Sequence, residues 1–113
     1  MSLDIELVEN TCEHCGRYDV VYSANITHNL AGMAKEAGVY ECLWHPERCS
    51  ATRACHLIVP LTSAVSKMNA DPDRFKAHDS PNGWGTYKNL LPWLERLLAA
   101  CHSHQDAEIE VSV

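Results

Sequence analysis

The two ends of the chain alternate. Leu3, Ile5 and Leu7 are separated by Asp4 and Glu6, and Ile109, Val111 and Val113 by Glu110 and Ser112. A period of two turns one side of an extended segment to a core and the other to water, so both segments predict half-buried strands. Between them the apolar spacing changes to three or four residues, the period of a helix. Such a chain is expected to fold as α+β, with its end strands in one sheet and the helices layered on it.

Asn10 to Gly16 predicts a turn, and Asp19 to Ala24, with Val20, Val21 and Tyr22, a second strand. The first two strands then form a hairpin whose tip carries Cys12 and Cys15. The C-terminal strand completes a three-stranded antiparallel sheet, packed on one face by three to four helices, in a single domain spanning 1–113. Asn25 and Thr27 are both candidate N-caps of a first helix, since their side-chain oxygens can accept free backbone N–H groups. Leu30, Met33, Ala34 and Ala37 give its apolar stripe, and Gly38 fits the left-handed residue that ends it. Val39 to Ser50 reads as irregular because Pro46 interrupts it.

Ala54, Leu57, Ile58, Leu61, Val65 and Met68 define a helix from about Thr52 to Asn69, with Pro60 requiring a kink or a late start. Asp71-Pro72 opens a short helix through Phe75. Tyr87, Leu90, Leu91, Leu94, Leu97, Leu98 and Cys101 mark the longest helix, in which Pro92 must fall near the first turn or kink the axis.

Composition excludes several classes. The formal charge is −6, from 9 basic and 15 acidic residues, whereas nucleic-acid binding needs clustered Lys and Arg. No segment approaches the roughly 20 apolar residues of a membrane span. Met1 to Glu6 has neither a basic nor an apolar leader stretch, so a cytoplasmic location is expected. In a reducing compartment a close cysteine pair reads as a metal site or a redox motif before a disulfide.

Cys12-Glu13-His14-Cys15-Gly16 is the sharpest chemical feature. Two thiolates three positions apart on a turn can share one zinc ion at about 2.3 Å, and the glycine permits the backbone angles that aim N–H groups at sulfur. A closed tetrahedral site needs two more donors. The candidates are His14, His28, Cys42, His45 and Cys49. A thioredoxin-like CxxC would instead open a helix after a strand, and the remaining alternative is a pair of free thiols. Cys55 and Cys101 lie on apolar stripes and read as core.

Two loops are both polar and aromatic. Asn25-Ile26-Thr27-His28-Asn29-Leu30 stands at a strand-to-helix junction, where free N–H groups suit a polar ligand or simply receive caps. His28 is able to act as acid or base near neutral pH. In Asn82-Gly83-Trp84-Gly85-Thr86-Tyr87 the glycines let an indole lie flat on backbone or ligand, or plug a turn. If the loops meet, Asn25, Thr27, His28, Asn82, Trp84 and Tyr87 are the candidate ligand-binding residues.

The combination of CxxCG, Asn25-Ile26-Thr27-His28-Asn29-Leu30 with Met33-Ala34 and Ala37-Gly38, and Asn82-Gly83-Trp84-Gly85-Thr86-Tyr87 resembles a family of small proteins encoded by bacteria and their phages. The resemblance spans nearly the whole chain. It implies no activity, and it implies that the two polar-aromatic loops define the family more than Cys42, His45 and Cys49 do.

Three functions are therefore expected to compete. One is a zinc-stabilised binding module for a protein or a small polar ligand. The second is a small enzyme using His28 with Asn25 and Asn82, although no nucleophile or phosphate-loop motif accompanies them. The third is an oligomer subunit, which exposed Trp44, Trp93 or methionines would favour.

Overall fold

The computed structural model describes residues 2–113. The chain runs β1 (Ser2–Glu9), β2 (Asp19–Thr27), α1 (Ala31–Ala37), α2 (Tyr40–Trp44), α3 (Cys55–Ala70), α4 (Pro72–Lys76), α5 (Tyr87–Ser103) and β3 (Glu108–Ser112). The fold is α+β, with an antiparallel sheet in the order β2-β1-β3. Leu3, Ile5 and Leu7 are fully buried beneath the helices. On the other side of the sheet Asp4 pairs with Ser112 and Glu6 with Glu110.

Three local readings change. β2 runs on through Thr27 rather than stopping at Ala24, because Asn25 and Ile26 pair with Asp4 and Leu3. The ladder outweighs the turn preference of asparagine, so Asn25 lies in a strand and does not cap a helix. Thr27 caps instead, its hydroxyl accepting the Asn29 N–H of a 3-10 turn over His28–Leu30. The Val39–Ser50 segment is not irregular throughout; α2 and a 3-10 turn over Pro46–Cys49 occupy it. Buried Val39 and Leu43 hold α2, and His45, out of the helical region ahead of Pro46 at φ −139° and ψ 64°, ends it. This raises the number of α-helices among the described residues to five.

α3 starts late, at Cys55. The free N–H groups of Ala54 and Cys55 at its start donate to the carbonyls of Ala107 and Gln105 (2.8 and 3.0 Å), and His56 Nδ1 accepts the Thr52 and Arg53 N–H groups just ahead of the helix (3.1 and 3.2 Å). Pro60 and Pro92 each lie inside a helix, α3 and α5. Each withholds one bond, from the carbonyls of His56 and Lys88. Thr86 and Asn89 close a capping box at the start of α5.

The core is continuous. Leu57, Leu61, Ala64 and Met68 of α3 join Leu90, Leu94 and Leu97 of α5 over the sheet, with Phe75 of α4 fully enclosed. Truncating any of these leucines to alanine costs about 2–5 kcal/mol through lost burial and the cavity left. Trp93 Nε1 donates to the Asn25 carbonyl (3.0 Å) and ties α5 to β2. Arg74 of α4 bonds Glu36 of α1. Trp44 and Trp93 are 5% exposed, so neither supplies the apolar surface that would favour an oligomer subunit.

The molecule measures 48 × 26 × 22 Å. Residues 10–20 are almost all exposed, so the far end of the hairpin stands clear of the helices. A bulge between Leu7 and Val8 shifts the β1–β2 register there. No helix among the described residues is long and apolar enough to cross a membrane.

Candidate ligand cleft and cysteine turn

The two polar-aromatic loops meet. Gly85 makes this possible, because a Cβ there would stand 3.1 Å from Asn29 Cβ and 3.2 Å from both Leu30 Cγ and Thr27 Cγ2. Its φ of +111° is also one that side chains disfavour. Asn29 Nδ2 donates to the Trp84 carbonyl (2.9 Å) and fastens one loop to the other. Beside this seam lies an open cleft of about 580 Å³ lined by Ser2, Asn25, Thr27, His28, Asn29 and Trp84.

Each wall has a local cause. Asn25 projects from the open side of β2, where its Nδ2 donates to Asp4 Oδ1 (2.6 Å) and Ser2 Oγ (2.9 Å). These bonds fix the amide across two strands. Asn82 stands outside the lining. Its Oδ1 accepts from Trp84 N–H (2.9 Å) and Ser80 Oγ (2.6 Å), so it braces the loop that presents the indole. Tyr87 also faces elsewhere, donating its hydroxyl proton to the Met68 carbonyl (2.8 Å). Trp84 itself is 72% exposed.

His28 is the chemically unsettled member. Its Nε2 is buried and has no hydrogen-bond partner. The ring lies 6.1 Å from that of Trp44, which stacks on Tyr40 at 5.1 Å. A buried polar atom left unpaired costs about 1–3 kcal/mol.

The cysteine turn is at the other end of the hairpin. Cys12 N–H donates to the Arg17 carbonyl (2.7 Å) and Gly16 N–H to the Cys12 carbonyl (2.8 Å), with Gly16 at φ +71°. The N–H groups of Cys15 and His14 bond the Cys12 sulfur, and the Cys15 thiol adjoins it; together they hold the Cys12 thiol below its ordinary value. Backbone donors aimed at one sulfur favour its thiolate, the form that binds metal.

The other proposed donors do not join it. His28 follows the opposite end of β2, about 25 Å away at strand rise. Cys42 Sγ lies 3.1 Å from Cys49 Sγ, and burial, reinforced by Cys49, pushes the Cys42 thiol up to about 11. His45 packs edge-on against Tyr40 (5.8 Å) and sits 3.7 Å from Glu47 Oε1. His14 contributes its backbone, and its side chain is exposed. Among the described residues no group of three or more His, Cys, Asp or Glu side chains is placed to hold a metal ion. Cys101 is buried, and burial with Cys55 nearby pushes its thiol up to about 11, as suits a core position.

No family model, curated protein or solved structure matches this chain. The site's meaning therefore rests on its own geometry. Sequence reasoning missed Ser2 and Asn29 as lining residues. Ser2 carries no signal of its own, whereas the polar run around Thr27 and His28 included Asn29 but was read as a helix start.

Proposed function

We propose that this protein is a small binding module that takes up a polar, ring-bearing ligand between Asn25, Thr27, His28, Asn29 and Trp84. The observation that carries this reading is the cleft beside two loops that have been fastened together, with His28 in its wall and the Trp84 indole exposed. Fixed amides and hydroxyls supply directional hydrogen bonds, and an exposed indole supplies a flat apolar face for a ring. Binding is favoured over catalysis because the Asn82 carboxamide oxygen, which the enzyme reading calls on, is committed to its own loop. A zinc ion on Cys12 and Cys15 would stabilise the hairpin from its far end, in a reducing compartment such as the cytoplasm where the thiols stay free.

Trp84 makes the test direct, since the other two indoles are buried. A panel of nucleosides and monosaccharides at millimolar concentration is screened by the Trp84 indole N–H resonance and by acrylamide quenching. A binder shifts that resonance and shields the indole, and both effects vanish in Trp84→Ala and His28→Ala. Silence of the resonance across the whole panel refutes the reading for these ligand classes. Metal analysis of freshly reduced protein, with Cys12→Ser and Cys15→Ser controls, tests the zinc separately.

A further inference from the structure

The hairpin tip offers two sulfur donors, and a closed structural zinc site needs four. Among the described residues no third His, Cys, Asp or Glu side chain converges on this pair. The tip is exposed and projects beyond the helices, with residues 13–20 all open to solvent.

We infer that Cys12 and Cys15 form half of a zinc site that a second copy of this chain completes. This rests on the reading of these cysteines as zinc donors, and adds where the missing ligands come from. A tetrahedral ion has a two-fold axis bisecting each pair of its ligands. A two-fold axis is also the symmetry of the commonest protein dimer. One ion on that axis therefore satisfies both molecules with the same two residues from each. Any solution holding one chain holds an identical donor pair at equal concentration. On assembly four S–H protons leave to solvent as four Zn–S bonds form, and the ZnS₄ centre carries two negative charges. The backbone N–H groups of His14 and Cys15 that bond the Cys12 sulfur are placed to offset part of that charge. Each chain is acidic, at −6, so the dimer is expected to tighten as salt screens the repulsion between bodies.

The test titrates zinc chloride into the full, reduced, chelator-treated chain and follows mass by native mass spectrometry and sedimentation velocity. The expected result is a doubling from 12.6 kDa, saturating at one zinc per two chains. A Cys12→Ser, Cys15→Ser variant stays monomeric, while Cys42→Ser, Cys49→Ser still dimerises. Far-ultraviolet circular dichroism checks that both variants fold. One zinc per chain with no change in mass overturns the shared site but leaves the cysteines as donors. No uptake at all overturns both readings. Dimerisation that survives Cys12→Ser, Cys15→Ser also overturns the inference.

Discussion

The closeness of the two loops has a measurable cost attached to one hydrogen atom of Gly85. Gly85→Ala adds a methyl carbon 3.1–3.2 Å from Asn29 Cβ, Leu30 Cγ and Thr27 Cγ2. The first of these is anchored directly to backbone and cannot swing aside. Gly83→Ala is the matched control, because it also has positive φ, +76°, but its Cβ would meet nothing within 4 Å. Positive φ on alanine costs about 1 kcal/mol. Overpacking a close contact adds about 1–3 kcal/mol. Gly83→Ala should therefore lose about 1 kcal/mol and Gly85→Ala about 3 kcal/mol. For a chain of this length each kcal/mol moves Tm by about 4 °C, so the expected drops are about 4 and 12 °C. Urea melts followed by tryptophan fluorescence give the same comparison as a shift in midpoint at constant slope. Equal losses in the two variants would show that the loops do not touch, and the cleft they border would lose its support.

Replacing His28 with phenylalanine removes a buried nitrogen that has no partner; thermal melts should show stability unchanged or higher by about 1 kcal/mol, while ligand effects on Trp84 disappear. Trp93→Phe deletes the indole donor to the Asn25 carbonyl and should cost about 1–3 kcal/mol by urea denaturation, since that oxygen loses its partner and the core some area. Cys42 and Cys101 thiols, pushed up to about 11, stay protonated at pH 8. Peptide mapping after a short iodoacetamide pulse on chelator-treated protein should find Cys12 labelled first and these two last; early labelling of Cys101 would contradict its burial.

Much of this architecture was legible because one side of each element carries a simple period. The alternation of Leu3, Ile5 and Leu7 names the buried face of β1, and the spacing from Leu90 to Cys101 names that of α5. What periodicity cannot convey is competition between neighbours. Asn25 favours turns by itself, yet pairing with Asp4 keeps it extended. His56 looks like an exposed helix residue, but its ring nitrogen accepts the Thr52 and Arg53 N–H groups and pins the chain leading into α3. The meeting of the two polar-aromatic loops depends on Gly85, whose significance comes from three atoms 55 to 58 positions earlier in the chain. Asn82 reads as a ligand group by composition, but its oxygen is occupied within four residues by Ser80 and Trp84. The adjacency of Cys42 and Cys49 arises from an α-helix followed by a 3-10 turn in a segment whose proline suggested neither.

The central position of β1 also sets an order of events during synthesis. Its first partner, β2, follows from Asp19, but its second, β3, begins only at Glu108. Until then β1 presents an unpaired row of backbone donors and acceptors beside Leu3, Ile5 and Leu7, a template for foreign strands. Each growing chain thus carries a sticky margin from the emergence of β1 until β3 is made, an interval in which neighbouring nascent copies are able to cross-pair.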